Sequence, residues 1–100
     1  MICHVVLWRI KPEARLAGQI KGIAAIRQAV EALQAGMPGL EHIELAVNEA
    51  SGADAADLML QAHFSSWDAL AVYEQHPLHG RLRELIGPIR SERRVVDYER

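Results

Sequence analysis

The segment Tyr73-Glu-Gln-His76-Pro77-Leu-His79 groups side chains that can move a proton or hydrogen-bond a carbonyl. An unperturbed imidazole titrates near about pH 6.5, so a histidine can act as a general base at neutral pH. His79 is the best candidate for that base, because it falls in the first turn of a predicted helix and could point into a cleft. A further histidine, His4, lies in the first predicted strand. The sequence therefore raises the question of whether these groups share one pocket.

His4 and Tyr73 each have two possible roles. Strand alternation places His4 on the same face as Val6, Trp8 and Ile10. It lies either at one end of an apolar cleft, the usual form of a small-molecule site, or simply hydrogen-bonded near a strand end. Tyr73 is either part of that site or a core ring whose hydroxyl reaches solvent.

The other histidines have roles that the sequence also suggests. His76 precedes Pro77, which favours extended backbone, so capping of the next helix is its expected role. His79 either faces a cleft or is a partly exposed histidine with its hydrogen bonds satisfied. No metal site is predicted, since His76 and His79 supply only two ligands and no acidic residue is an obvious third. His42 and His63 lie opposite the apolar positions of their strands, which predicts a surface or a dimer face.

The elements that must position these groups follow from hydrophobic periodicity. Strands are predicted over Ile2–Ile10, Leu40–Asn48, Leu58–Phe64 and Arg93–Glu99. Helices are predicted from about 14 to 35, from about 66 to 75 and from about 78 to 86. Ser65-Ser66-Trp67-Asp68 resembles a capping box at the start of the second helix.

The order β-α-β-β-α-β predicts a single α+β domain over residues 1–100. Its expected fold is ferredoxin-like: a four-stranded antiparallel sheet with helices on one face. The first strand is apolar on both faces, and such a strand is covered on both faces. One helical layer covers only one of them. The other face is therefore predicted to pack sheet against sheet on a second copy, in a homodimer.

Composition excludes several classes of protein. The net charge is −2 with both signs mixed, which argues against nucleic-acid binding. Cys3 is the only cysteine, so no internal disulfide forms and a reducing compartment is favoured. No apolar stretch approaches ~20 residues, and no signal peptide is recognised, so no membrane span is predicted and the cytoplasm is the expected location. No Gly-rich phosphate loop or dinucleotide fingerprint is present, which leaves nucleotide cofactors unsupported.

The C-terminal part of the chain is rich in arginine. These residues alternate with acidic ones, which predicts a solvated surface held together by salt bridges. The arginines are Arg81, Arg83, Arg90, Arg93 and Arg94.

Five segments together resemble the stress-responsive α/β-barrel (Dabb) family, and the tyrosine–His-Pro-x-His segment is the most specific of them. The segments are Ile2–Pro12, Met37–Leu40, Phe64–Leu70, Tyr73–His79 and Val95–Tyr98. The resemblance implies two ferredoxin-like sheets closing into a dimeric α/β barrel. Some members of this family resemble plant stress-induced proteins, and others are polyketide cyclases that close rings without cofactor or metal.

The resemblance also implies roles for particular residues. His79 would be the general base that removes a proton next to a carbonyl, and Tyr73 would hydrogen-bond the carbonyl oxygen. His4 and His76 would orient the groups around them. Cyclases carry polar groups where this chain has Val30 and Leu58, so a more apolar pocket is expected here. The expected lining is Val6, Trp8, Val30, Leu58 and Leu60.

The leading hypothesis is a homodimer that binds a small apolar organic ligand, with cofactor-free proton transfer such as a cyclisation, lyase or isomerase step. The alternative is a non-enzymatic stress-response dimer, in which His76 and Pro77 fix the junction between two helices. A third and weaker possibility is a monooxygenase of the related dimeric-barrel superfamily, to which the motif does not point.

Overall fold

The computed structural model describes residues 1–100 and has a four-stranded antiparallel main sheet. In chain order the elements are β1 (Ile2–Ile10), a 3-10 turn (Pro12–Ala14), β2 (Arg15–Leu16), β3 (Gln19–Ile20), α1 (Ile23–Gly36), β4 (Leu40–Val47), β5 (Leu58–Phe64), α2 (Trp67–Gln75), α3 (Pro77–Ile86) and β6 (Arg90–Glu99). The main sheet has the order β4-β5-β1-β6. This confirms the predicted ferredoxin-like α+β fold.

The helices cover one face of the sheet, and strand alternation determines which residues meet them. Val6 pairs with Leu60 of β5 and with Val95 of β6, so these side chains share that face. Every second residue of β5 is almost fully buried: Leu58 is 1% exposed, and Leu60, Ala62 and Phe64 are 0% exposed. The hydrophobic core therefore lies between this face and the helices.

The long helix predicted from about residue 14 is wrong over its first half, because α1 begins only at Ile23. Ala17 and Gly18 have φ angles of 53° and 76°, and Gly22 has a φ of 78°. These left-handed conformations cannot continue a right-handed helix, so the chain forms the short β2–β3 hairpin instead. Leu16, which extended the apolar pattern, is 68% exposed.

Gly18 and Gly22 are not packed closely against any neighbouring side chain or backbone. A Cβ atom placed on Gly18 or Gly22 would meet nothing within 4 Å. Their use is conformational, since glycine tolerates positive φ.

Two other boundaries differ slightly from the prediction. Strand β6 begins at Arg90, which pairs with Ile10 after a register shift between Arg9 and Ile10. Strand β4 ends at Val47, one residue early.

The opposite face of the sheet carries apolar side chains that no helix covers. Leu7 is 40% exposed, Val96 is 59% exposed and Tyr98 is 42% exposed. We call the face that bears these residues the open face. None of the helices combines the length and the apolar character needed to cross a membrane.

Candidate functional site

A cavity of about 330 Å³ lies between the helix-facing side of β1 and β6 and the helices α2 and α3. Its wall combines apolar side chains with several polar and charged ones that converge on the same space. The lining residues are His4, Val6, Trp8, Leu60, Tyr73, Glu74, His79, Leu82, Arg83, Ile86, Gly87, Arg90 and Arg93.

Tyr73 and His79 meet at the junction of α2 and α3. Their ring centroids are 4.4 Å apart, and the Tyr73 ring also packs on Phe64, with centroids 5.0 Å apart. Tyr73 is 1% exposed and His79 is 8% exposed. The predicted pair is therefore brought together, on helices that the His76-Pro77 break sets at an angle.

The hydrogen bonds of His79 determine which ring nitrogen is available for chemistry. Nδ1 lies 3.2 Å from the Glu74 carbonyl oxygen. A carbonyl only accepts, so Nδ1 carries the proton and donates it. Nε2 of neutral His79 is then an acceptor, free to take a proton from a bound molecule.

The Tyr73 hydroxyl has no hydrogen-bond partner within the chain. The only side-chain nitrogen or oxygen that is both sealed and unpaired is Nε2 of His63, on the opposite face of the sheet. The hydroxyl is therefore accessible from the cavity, and it can donate to a ligand there.

Burial shifts both groups toward their neutral forms. Desolvation lowers the pKa of His79 below its usual 6.5, and the positive charge of Arg83 lowers it further, although the bond to the Glu74 carbonyl acts in the opposite direction. Desolvation raises the pKa of Tyr73 well above its usual 10.0, with a partial opposing effect from Arg93. At neutral pH the site thus combines a free imidazole base with a protonated phenol donor.

His4 joins this pair from β1. Its ring centroid lies 5.7 Å from that of Tyr73, and the side chain is 2% exposed. Nδ1 of His4 lies 2.5 Å from Oδ1 of Asp97, directly across the β1–β6 ladder. A carboxylate only accepts, so Nδ1 is the donor, and the Nε2 atom of His4 is not engaged by Asp97. Asp97 thereby orients His4.

Three of the predicted lining residues, Val6, Trp8 and Leu60, lie in the cavity wall. Val30 and Leu58 do not line it; they are 7% and 1% exposed and belong to the hydrophobic core. The reason for Val30 is the position of α1, which packs on β4 and α3 rather than over the β1–β6 side of the sheet.

His76 also lies outside the cavity wall. The Leu78 amide donates to its Nδ1 over 3.1 Å, so His76 caps α3. This matches the capping role predicted for it and does not match the ligand-orienting role that the family resemblance implied. Nδ1 of His76 and Nδ1 of His79 are each engaged by the backbone, the first by the Leu78 amide and the second by the Glu74 carbonyl. No group of three or more His, Cys, Asp or Glu side chains is arranged to hold a metal ion.

The salt bridges predicted for the arginine-rich region are mostly wrong. Only Arg81 has a carboxylate within 4 Å, that of Glu84 at 3.9 Å. Arg83, Arg90 and Arg93 are exposed, as predicted, but they have no acidic partner and line the cavity instead.

Several residues of the candidate site were missing from the sequence prediction. Asp97 is found only through the β1–β6 register, which a single sequence does not reveal. Leu82, Arg83 and Ile86 were more accessible to prediction. They follow His79 by three, four and seven positions, the spacing of one helix face.

The fold places this chain in a structural class whose solved members include dimers and enzymes. A dimeric protein of unknown function with a ferredoxin-like fold from Bacteroides fragilis is 23% identical, with a TM-score of 0.86 over 99% of this chain and 95% of that chain. A hydroxynitrile lyase from Passiflora edulis is 19% identical, with a TM-score of 0.76 over 97% and 90% of the two chains. An antibiotic biosynthesis monooxygenase is 20% identical, with a TM-score of 0.74 over 100% and 98%. At these identities the likeness establishes the fold alone.

Family membership rests on a separate comparison. Residues 2–100 match the family model of the stress responsive A/B barrel domain, Dabb. The chain belongs to this family, as the motif resemblance indicated. No curated protein matches the chain closely enough to count as similar.

Proposed function

We propose that this protein is a homodimeric Dabb domain whose cavity binds a small, largely apolar carbonyl compound and moves a proton on it without a cofactor. One observation carries the proposal. The free Nε2 of His79 and the unpaired hydroxyl of Tyr73 belong to rings 4.4 Å apart in the wall of one cavity. A base and a hydrogen-bond donor so placed are what enolisation requires.

The proposed step is enolisation of the bound carbonyl compound. Nε2 of His79 takes a proton from the carbon next to the carbonyl, so a C–H bond breaks and an N–H bond forms. The electron pair of the C–H bond forms the enolate, and the Tyr73 hydroxyl donates a hydrogen bond to its oxygen. His4, oriented by Asp97, is the second imidazole at this end of the cavity. Delivery of the proton from His79 to a different atom of a conjugated enolate completes an isomerisation. Alternatively, the enolate carbon attacks a second carbonyl of the ligand, and the alkoxide formed with the new C–C bond takes the proton back from His79, which completes a ring closure.

The open face supports the homodimer. Leu7, Val96 and Tyr98 leave apolar area on it that a second sheet would bury. On the same face the His42 and His63 ring centroids lie 5.1 Å apart, and Nε2 of His63 is sealed without a partner. A sealed unpaired nitrogen costs about 1–3 kcal/mol, and a polar group of a partner subunit would relieve that cost.

Cys3 bears on the proposed location. It is free and 0% exposed. A buried free thiol suits a reducing compartment, and we place the protein in the cytoplasm.

The test uses a reporter reaction that does not require the natural substrate. The protein is incubated with butyrophenone in D₂O, and deuterium uptake at the carbon next to the carbonyl is followed by NMR. The wild type is expected to accelerate exchange over buffer, and His79→Gln is expected to abolish the acceleration because glutamine cannot act as a base. Arg81→Gln is the control, since Arg81 lies on the same helix but not in the cavity wall.

The outcomes separate the possible functions. Binding of butyrophenone without deuterium exchange would show a ligand-binding protein and refute the proposed enzymatic activity. Neither binding nor exchange, in a protein of undiminished stability, would favour the alternative of a non-enzymatic stress-response dimer. A monomer in sedimentation would overturn the homodimer.

A further inference from the structure

The cavity carries an excess of positive charge that the rest of the chain does not share. Its wall contains three arginines, Arg83, Arg90 and Arg93, and one carboxylate, that of Glu74. The whole chain, by contrast, has a net charge of −2. None of the three arginines has an acidic partner within 4 Å, although Arg15 and Arg81 elsewhere do. An unneutralised cluster at one cavity is a feature that a bound anion would complete.

Two different elements of the fold, α3 and β6, bring these arginines to the same cavity. Arg83 follows His79 by one helical turn, which places it about 6 Å further along α3. Arg93 and Arg90 extend from β6 beside Trp8 and Ile10, their partners across the ladder. The cluster thus lies beyond the His79–Tyr73 pair, toward the Trp8 side of the cavity.

The carboxylate of Asp97 does not neutralise the cluster. Asp97 lies on the same face of β6 as Arg93 but four residues further along, about 13 Å in an extended strand. It is also occupied by His4, at 2.5 Å. The cavity wall thus carries imidazoles and a phenol from β1, α2 and α3, together with guanidiniums from α3 and β6.

We propose that the ligand is a small oxo-carboxylate, with its carbonyl at His79 and Tyr73 and its carboxylate at Arg83, Arg90 and Arg93. This inference rests on the proposed function and names its substrate class. Guanidinium groups match a carboxylate in geometry as well as in charge. The wall also has an apolar stretch, formed by Val6, Trp8, Leu60 and Leu82, which suits an apolar ligand body. That apolar stretch favours an organic acid over free phosphate.

The test compares matched probes by isothermal titration calorimetry. The first is 4-oxo-4-phenylbutanoate, an aryl ketone whose carboxylate lies a few bonds from the carbonyl. The second is its neutral amide, and the third is phenyl phosphate. The carboxylate is expected to bind roughly tenfold more tightly than the amide, since each exposed arginine contributes only a modest attraction. Added sodium chloride should weaken binding of the carboxylate and leave the amide unchanged.

Variants identify the arginines responsible. Arg83→Gln and Arg93→Gln should each reduce carboxylate affinity about threefold and leave amide affinity unchanged. Arg81→Gln, on the same helix and outside the cavity wall, should change neither. All three side chains are exposed, so these variants are expected to fold.

Each remaining result overturns a stated part of the inference. Equal affinity for carboxylate and amide would remove the anion site but leave the proposed function standing. Tighter binding of phenyl phosphate would overturn the carboxylate assignment. A change in dimer dissociation in Arg83→Gln, with unchanged carboxylate affinity, would assign the cluster to subunit contact instead. If none of the three probes nor butyrophenone binds, the proposed function itself fails.

Discussion

Tyr73→Phe removes one hydroxyl from the cavity and leaves the aromatic ring in place. The ring is 1% exposed and packs on Phe64 and His79, so it contributes to the core. The hydroxyl has no partner within the chain, so no internal hydrogen bond is lost. We expect the free energy of unfolding to change by no more than about 0.5 kcal/mol. Tyr73→Ala, which removes the ring, should destabilise the protein by about 3–5 kcal/mol.

The same hydroxyl is expected to matter much more for the ligand. A hydrogen bond to a carbonyl oxygen contributes about 0.5–1.5 kcal/mol, which is roughly a two- to twelvefold change in Kd. The effect on deuterium exchange should be larger, about a hundredfold or more, because charge on the oxygen develops in the transition state. Urea denaturation at a fixed protein concentration measures stability, and calorimetry and NMR with butyrophenone measure the other two quantities.

Tyr98→Phe is the matched control for the loss of a hydroxyl. Tyr98 pairs with Cys3 and lies on the open face, 42% exposed. Its variant should leave butyrophenone binding and exchange unchanged. The reasoning is refuted if Tyr73→Phe loses more than about 2 kcal/mol of stability, the size of a broken buried hydrogen bond. It is equally refuted if exchange proceeds at the wild-type rate without the hydroxyl.

Three further predictions follow from the same geometry. Burial lowers the pKa of His79 below 6.5, so its NMR titration midpoint should lie below that value, and deuterium exchange should slow as the pH falls through the midpoint. The unfolded chain protonates His79 at a higher pH than the folded protein does, so the free energy of unfolding should also decline as the pH drops below about 6.5. That decline should be smaller in His79→Gln. A titration midpoint above 6.5 for His79 would contradict both expectations. His76→Asn should preserve both stability and deuterium exchange, because asparagine also caps helices. His76→Ala should lose about 1 kcal/mol of stability and keep its exchange activity. Slowed exchange in His76→Asn would show that His76 contributes to the site. Gly39→Ala places a Cβ atom 2.6 Å from that of Ala69 at a φ of +78°, so urea denaturation should show a loss of about 2–5 kcal/mol in the free energy of unfolding. Gly18→Ala is the control, because Gly18 has a similar φ but open space around it, and its loss should be about 1–2 kcal/mol. Equal losses in the two variants would argue against the contact with Ala69.

The fold was predictable because the alternation of side chains along its strands distinguishes the two faces of the sheet. The apolar alternation predicted for β5 corresponds to the observed burial of every second residue, and the predicted end of the first helix near residue 35 corresponds to the end of α1 at Gly36. The error before Ile23 has a local cause. Leu16 and Ile20 continue the helical spacing, and left-handed backbone at Ala17, Gly18 and Gly22 outweighs that spacing.

The site was predictable only in part, because its members are joined through tertiary structure. Tyr73 and His79 are neighbours in sequence, so their shared motif points to both. Asp97 reaches His4 only through strand register, and nothing in a single sequence states that register. The arginines were misinterpreted because acidic neighbours in sequence suggested pairing, whereas strand alternation turns Arg93 toward the cavity and Arg94 toward the other face.

The hydrogen bond between His4 and Asp97 spans 93 positions of the chain. During translation, β1 leaves the ribosome long before β6, so a nascent chain holds its first imidazole without the carboxylate that orients it. The proposed chemistry therefore depends on the last strand to be synthesised, because β6 supplies Asp97 and two arginines of the cavity wall.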